Sequence, residues 1–236
     1  TALWELLLDY FEVRRVLVIA PLRVARDTWP GEYEKWDHLN GLLLSPILGS
    51  EKERKAALNL KANVYVINRE NVEWLVGQGN WDFDMIIIDE LSSFKSHKAK
   101  RFKALRKVRA KAHRIVGLTG TPAPNGLIGL WAEIGILDMG QSLGRFIGAY
   151  RERFFQPDKR SRDMVYSYKP KDGAEEQIYG LISDITISMK AVDYLEMPEC
   201  IYNRVEVRLS EKEYDLYRKL EKDMLLPFEG GHVDAV

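Results

Sequence analysis

Asp89 and Glu90 stand side by side at the end of an apolar run, Met85-Ile86-Ile87-Ile88, and that placement can do chemistry. A buried strand that ends in two adjacent carboxylates puts one where a magnesium ion on a phosphate chain is held. The other is left to orient or deprotonate an attacking water. This is the Walker B arrangement of nucleoside triphosphatases. Further along, a second apolar run, Ile115-Val116-Gly117-Leu118, closes on Thr119-Gly120-Thr121-Pro122. Ligand sites of parallel sheets lie beyond the carboxyl ends of the strands, so Thr119, Gly120 and Thr121 come to stand beside the carboxylates and border the same nucleotide. Taken singly, Asp89-Glu90 reads equally well as a helix cap and Thr119-Gly120-Thr121 as a turn. The two together, each behind a hydrophobic strand, favour a nucleoside triphosphate with Mg2+ held by Asp89.

Strands are needed to hold those residues. Short apolar runs at Val16 to Ala20, Leu42 to Leu48, Val64 to Asn68, Met85 to Asp89 and Ile115 to Leu118 alternate with stretches of helical spacing. This alternation predicts a doubly wound parallel sheet with helices on both faces, a three-layer α/β/α domain of RecA-like architecture. Residues 126 to 183 read as a mainly helical appendage, interrupted at Gln156 to Gly173 by a polar, mixed-charge stretch expected to be a surface loop. From Tyr202 to Leu209 apolar and charged residues alternate as in a half-exposed strand. Ser210 to Glu213 then forms a capping box, with a helix expected to about Met224.

With 46% hydrophobic and 30% charged residues over 236 positions, the composition is that of a globular protein with ample core. Cys200 is the single cysteine, which excludes an intramolecular disulfide and suits a reducing cytosol. No basic segment precedes an apolar stretch, and no apolar run approaches the length of a membrane span, so a secreted or membrane-spanning protein is not expected. His38, His97, His113 and His232 have no ligand-spaced neighbours, which argues against a metal centre built on histidine.

Lysine plus arginine balance aspartate plus glutamate, 35 against 35, so total charge says nothing about nucleic acid. Its distribution does. From Leu91 to Ala132 there is no acid, while Lys95, Lys98, Lys100, Arg101, Lys103, Arg106, Lys107, Arg109, Lys111 and Arg114 crowd together. Phe102, Leu105 and Val108 recur at every third position and give the intervening helix one apolar stripe. Lys100, Lys103 and Lys107 fall on its broad cationic face and are candidates for phosphate contact. A solubilising surface or a dock for another lobe fits the same pattern. A second cluster, Arg145, Phe146, Tyr150, Arg151, Arg153, Phe154 and Phe155, has helical spacing, and its aromatics are expected to pack in the core rather than stack on bases.

The segment Trp81-Asp82-Phe83-Asp84-Met85-Ile86-Ile87-Ile88-Asp89-Glu90, then Phe94-Lys95, then Leu118-Thr119-Gly120-Thr121-Pro122 with Asn125 and Leu130-Trp131, resembles the first lobe of a Swi/Snf-type, superfamily-two helicase-like ATPase. Val16-Leu17-Val18-Ile19-Ala20-Pro21 with Trp29, Glu32 and Trp36 is similar to that family's motif Ia, and Val64-Tyr65-Val66-Ile67-Asn68 to its motif Ib. The compact, phage-borne branch is the nearest in character. The resemblance implies an ATP-driven translocase on double-stranded DNA, in the cytoplasm of a bacterial or phage-infected cell. It also implies that Thr119 and Thr121 relay the nucleotide state, and that Arg23, Asn68 and Lys95 lie on the DNA side. Residues 1–183 would be the first RecA-like lobe, with its helical extension from about 126, and 184–236 the connecting segment and the start of a second lobe that completes the machine.

Two departures qualify this. Leu91-Ser92 follow Glu90 where the family box carries other residues, and Ser188-Met189-Lys190 stands where many relatives have paired arginines. The phosphate loop Gly-x-x-x-x-Gly-Lys-Ser/Thr occurs nowhere, while Thr1-Ala2-Leu3-Trp4 reads as the middle of a helix. The expectation is a chain cut just after that loop and inactive by itself. A non-catalytic nucleic-acid-binding module with the same fold is the alternative.

Overall fold

In the computed structural model of the protein, which describes residues 13–120, 126–159, 165–189, 203–223, 225–228 and 231–234, the five apolar runs form one sheet. Its strands are β1 (Val16–Ala20), β2 (Leu44–Ile47), β3 (Val64–Asn68), β4 (Met85–Asp89) and β5 (Arg114–Leu118). The order is β2-β3-β1-β4-β5 and every pairing is parallel. Successive side chains of a strand point to opposite faces, and the inner strands β1, β3 and β4 are covered on both, so these three are apolar almost throughout rather than alternating. Two separate cores result. Leu17, Ile19, Tyr65, Ile67, Ile86 and Ile88 pack on one face, whereas Val16, Val18, Ala20, Val64, Val66, Met85 and Ile87 pack on the other. Each fully buried isoleucine contributes about 1.5–3 kcal/mol.

The first face is covered by α2 (Glu51–Asn59), α3 (Val72–Gly77), α4 (Lys100–Val108) and α5 (Leu127–Asp138). The second is covered by a π-helical turn (Val24–Thr28) and α1 (Trp29–Lys35), the latter a continuation of that turn. This is the expected three-layer α/β/α arrangement. α2 begins at a capping box: the Ser50 N–H donates to Glu53 Oε2 at 2.6 Å and the Glu53 N–H to Ser50 Oγ at 3.4 Å. In α4 the three-residue spacing buries Phe102, Leu105 and Val108 and leaves Lys100, Lys103 and Lys107 exposed. Arg109, counted above among the surface cations, is instead buried. It donates to the carbonyls of Ala112, Ile136 and Leu137 at 3.0, 2.8 and 2.5 Å, satisfying one backbone oxygen just ahead of β5 and two in the last turn of α5.

Beyond α5 come α6 (Ile147–Phe154) and α7 (Ala174–Ile182). Between them, where a loop was expected, β6 (Phe155–Pro157) pairs antiparallel with β7 (Tyr168–Pro170). Aromatic anchors hold this short hairpin: Phe155 packs on Tyr150 with ring centroids 5.4 Å apart, and the Arg151 guanidinium lies 5.1 Å from the Tyr168 ring centroid. Tyr150, Phe154 and Phe155 are core residues, as their spacing implied, while Phe146 is 75% exposed.

The chain divides into two compact units, Thr1–Ile187 and Ser188–Val236. In the second, α8 (Glu211–Asp223) starts at the expected capping box, with the Ser210 N–H donating to Glu213 Oε2 at 2.8 Å. A small hairpin follows, β8 (Leu225–Phe228) with β9 (Gly231–Asp234). The strand expected over Tyr202 to Leu209 does not form within its described residues, 203–209: both phases of the alternation are exposed and no partner strand stands beside them. Alternation without a surface to bury against does not make a strand. Among the described residues no helix is long and apolar enough to cross a membrane.

Candidate functional site

Connections leave β1 and β4 in opposite directions, β1 toward β2 and β4 toward β5, so the crevice at their carboxyl ends is the switch point of the sheet. Asp89 is the last residue of β4 and pairs in register with Leu118, the last of β5. From the segment that follows β1, the Trp29 indole N–H donates to Asp89 Oδ2 at 3.0 Å. One carboxylate oxygen is thereby fixed across the crevice. Magnesium takes one or two protein carboxylates and completes its shell from phosphates and water, so a half-buried carboxylate held through a single oxygen suits it. Among the described residues no group of three or more His, Cys, Asp or Glu side chains is placed to hold a metal.

Glu90 has φ 64° and ψ 65°, a left-handed conformation that costs a residue with a side chain about 1–2 kcal/mol. It turns the chain sharply into a 3-10 turn, Leu91–Phe94. Its Oε1 accepts hydrogen bonds from the Ser92 hydroxyl and from Thr119 Oγ1, the latter at 3.2 Å. Leu91 lies over Gly117 of β5 so closely that a Cβ there would come within 2.6 Å of Leu91 Cδ2. The glycine in β5 is what lets the turn settle onto the sheet.

The geometry thus brings together Asp89, Glu90 and Thr119, with Ser92 and Trp29 as partners the sequence did not single out for those roles. Hydroxyl and indole donors within a few residues of the motifs were the available signal. Gly120 follows at the exposed end of β5, and Thr121 lies outside the described residues. Arg23 is exposed at the start of the π-helical turn, and Lys95 is half-buried just after the 3-10 turn. Asn68 is only 7% exposed: its amide donates to Glu70 Oε2 at 3.0 Å and its oxygen accepts from Asn71 Nδ2 at 2.5 Å.

Sequence reading also passed over Glu133, on α5. It is completely buried and neither oxygen has a hydrogen-bond partner. Burial pushes its carboxyl up to about 7; the Glu90 charge adds to this and the Lys95 ammonium opposes it. Because the folded value lies above the unfolded one, the group's contribution to stability is complete below about pH 4.5 and is lost as pH rises through 7. Glu133→Gln is therefore expected to stabilise the fold at pH 8 by about 2–3 kcal/mol and to have little effect at pH 5. Thermal unfolding of the two proteins at both pH values checks this; equal midpoints at pH 8 would contradict it.

The model of the SNF2-related domain family matches residues 2–235. Protein p41 of Acyrthosiphon pisum secondary endosymbiont phage 1 is 40% identical over 244 residues, covering 100% of this chain and 53% of that protein. The human DNA annealing helicase and endonuclease ZRANB3 is 27% identical over 236 residues, with 94% of this chain and 21% of ZRANB3 covered. Among solved structures, the Sulfolobus solfataricus SWI2/SNF2 ATPase core in complex with dsDNA superposes with a TM-score of 0.65 at 20% identity. That likeness covers 93% of this chain and 45% of the other, and it is one of fold. The chain spans about half the length of the phage relative and about a fifth of ZRANB3. With a family model matched from end to end and a RecA-like sheet beneath it, the chain belongs to the SNF2-related domain family.

Proposed function

We propose that this chain supplies the Walker B face of a DNA-dependent ATPase that couples ATP hydrolysis to movement along double-stranded DNA. The observation that carries this is the placement of Asp89 and Glu90 at the switch point of the sheet, with the Thr119 hydroxyl of the neighbouring strand on Glu90. Bound magnesium would neutralise charge on the β- and γ-phosphates. Asp89 holds the metal and Trp29 fixes the carboxylate that does so. Glu90 orients the attacking water and takes its proton. Its hydroxyl partners Ser92 and Thr119 keep the carboxylate aimed, and through the turn at Thr119, Gly120 and Thr121 the state of the nucleotide reaches neighbouring segments. Arg23, Asn68 and Lys95 at the ends of successive elements, and Lys100, Lys103 and Lys107 on α4, make up the DNA side. Asn68 acts there through the 68–71 turn, since its own amide is engaged with Glu70 and Asn71. A second RecA-like lobe of the same protein closes over the nucleotide. The name of ZRANB3 and the DNA in the Sulfolobus complex support the choice of DNA as track.

In the full-length protein, Asp89→Ala is expected to weaken magnesium-dependent ATP binding about tenfold or more, the usual cost of disturbing a metal's ligand environment. Titration of a fluorescent ATP analogue with and without magnesium reads this directly. Binding that is equally tight in the variant would remove Asp89 from the metal.

A further inference from the structure

Between α4 and α5 two cavities join into one furrow, because Phe102, Arg106 and Trp131 line both. The larger holds about 310 Å³ and is bounded further by His97, Lys103 and Lys107. The narrower continues past Met139 to Arg145. The floor is aromatic: the Phe102 and Trp131 ring centroids lie 6.5 Å apart, and the His97 imidazole stands edge-on to Trp131 at 5.8 Å. Met139 is 47% exposed at one end, and next to Arg145 the Phe146 ring is 75% exposed. The wall at that end is fixed. Both Asp138 oxygens accept backbone N–H groups of the turn after α5, from Gly140 and Ser142 at 2.7 Å each, and the Trp131 indole N–H donates to the Gly144 carbonyl at 2.8 Å. A preformed seat of this kind spares a ligand the cost of ordering it.

The rim carries one sign of charge. Lys103, Arg106, Lys107 and Arg145 are exposed, and none of them forms an ion pair among the described residues. From Leu91 to Arg151 the only acids are Glu133, enclosed in the core, and Asp138, engaged by its own turn. Cations gathered around an apolar floor attract an anion that also brings an apolar group. Duplex DNA presents phosphates but nothing to fill an apolar cavity. Aromatic residues, Met and Arg are, moreover, the types enriched where proteins meet. We propose that the furrow seats an acidic peptide segment of a partner protein, with one bulky apolar side chain entering over Phe102 and Trp131 and flanking carboxylates on Arg106 and Arg145. The DNA reading uses neither arginine; Lys103 and Lys107 form the lip shared with the DNA side. The seat goes beyond ATP hydrolysis, and its test involves no nucleotide.

The test is fluorescence anisotropy of the full-length protein with a labelled synthetic peptide of Glu and Ser around one central Phe. One control peptide carries Ser in place of the Phe, and another carries Gln in place of every Glu. The Phe peptide is expected to bind about tenfold or more tightly than either, since the first control lacks the burial of an apolar side chain and the second lacks the charge. Arg106→Gln and Arg145→Gln, both at exposed positions and so expected to fold normally, should each weaken the Phe peptide about fivefold or more. Equal binding of the Phe and Ser peptides would show that the floor is not used and overturn the proposal. So would a Phe peptide that binds both variants as tightly as the wild type. Weaker duplex binding by Arg106→Gln, beside unchanged affinity for the peptide, would make the furrow part of the DNA side and overturn it equally.

Discussion

Glu90→Gln in the full-length protein is expected to bind ATP as tightly as the wild type and to hydrolyse it about 10²–10⁴-fold more slowly. The amide keeps the size of the carboxylate and still accepts hydrogen bonds from Ser92 and Thr119. It cannot take a proton from water. Asp89 is untouched, so magnesium and phosphate binding persist, which separates this variant from Asp89→Ala. Single-turnover hydrolysis beside equilibrium nucleotide binding measures the two effects independently. Loss of binding in step with turnover would show that the carboxylates do not divide the work as assigned.

Replacing Lys100, Lys103 and Lys107 together with Gln is expected to weaken DNA binding by about two to three orders of magnitude near 0.1 M salt. It should also flatten the salt dependence of log affinity by about 0.9 per phosphate lost. The loss should be similar for all sequences, because phosphate contacts carry no base information. All three side chains are exposed, while Phe102, Leu105 and Val108 beneath them stay packed, so the variant is expected to fold normally. The measurement is a salt titration of duplex binding by the full-length protein. An unchanged slope in a folded variant would make this face plain solvated surface or a dock for another lobe, and would leave DNA contact to Arg23 and the segments around it.

The three inner strands were legible because burial on both faces writes itself as uninterrupted apolar runs, and each of the five strands lies within two residues of its run. Leu42 to Leu48 shortens to Leu44–Ile47 but keeps its place. The pair Asp89-Glu90 and Thr119 were legible for the same reason, since a strand's end fixes where its next residues stand. What escaped were interactions between segments distant in sequence or too short to show a period. β6 and β7 have three residues each, too few for alternation to register, and depend on Tyr150 and Arg151 of a helix. Arg109 read as one more surface cation because nothing local announces the two carbonyls it meets in the last turn of α5. Glu133 had a signal that could have been used: it is the residue that ends the acid-free stretch, a lone carboxylate in an apolar helix.

The two margins of the main sheet differ in a way that bears on handling the protein. β2 carries Pro46, which removes a backbone donor and discourages a neighbour. β5 has no such guard. Among the described residues it pairs only with β4, and Val116 and Leu118 are 40% and 46% exposed. Its outer row of amides and carbonyls, flanked by apolar side chains, is a template on which a further strand can be laid. A strand added there in parallel extends the sheet productively; one borrowed from another molecule nucleates aggregation. Recovery of soluble protein will therefore depend on concentration, and a charged substitution at Val116 is the place to relieve it.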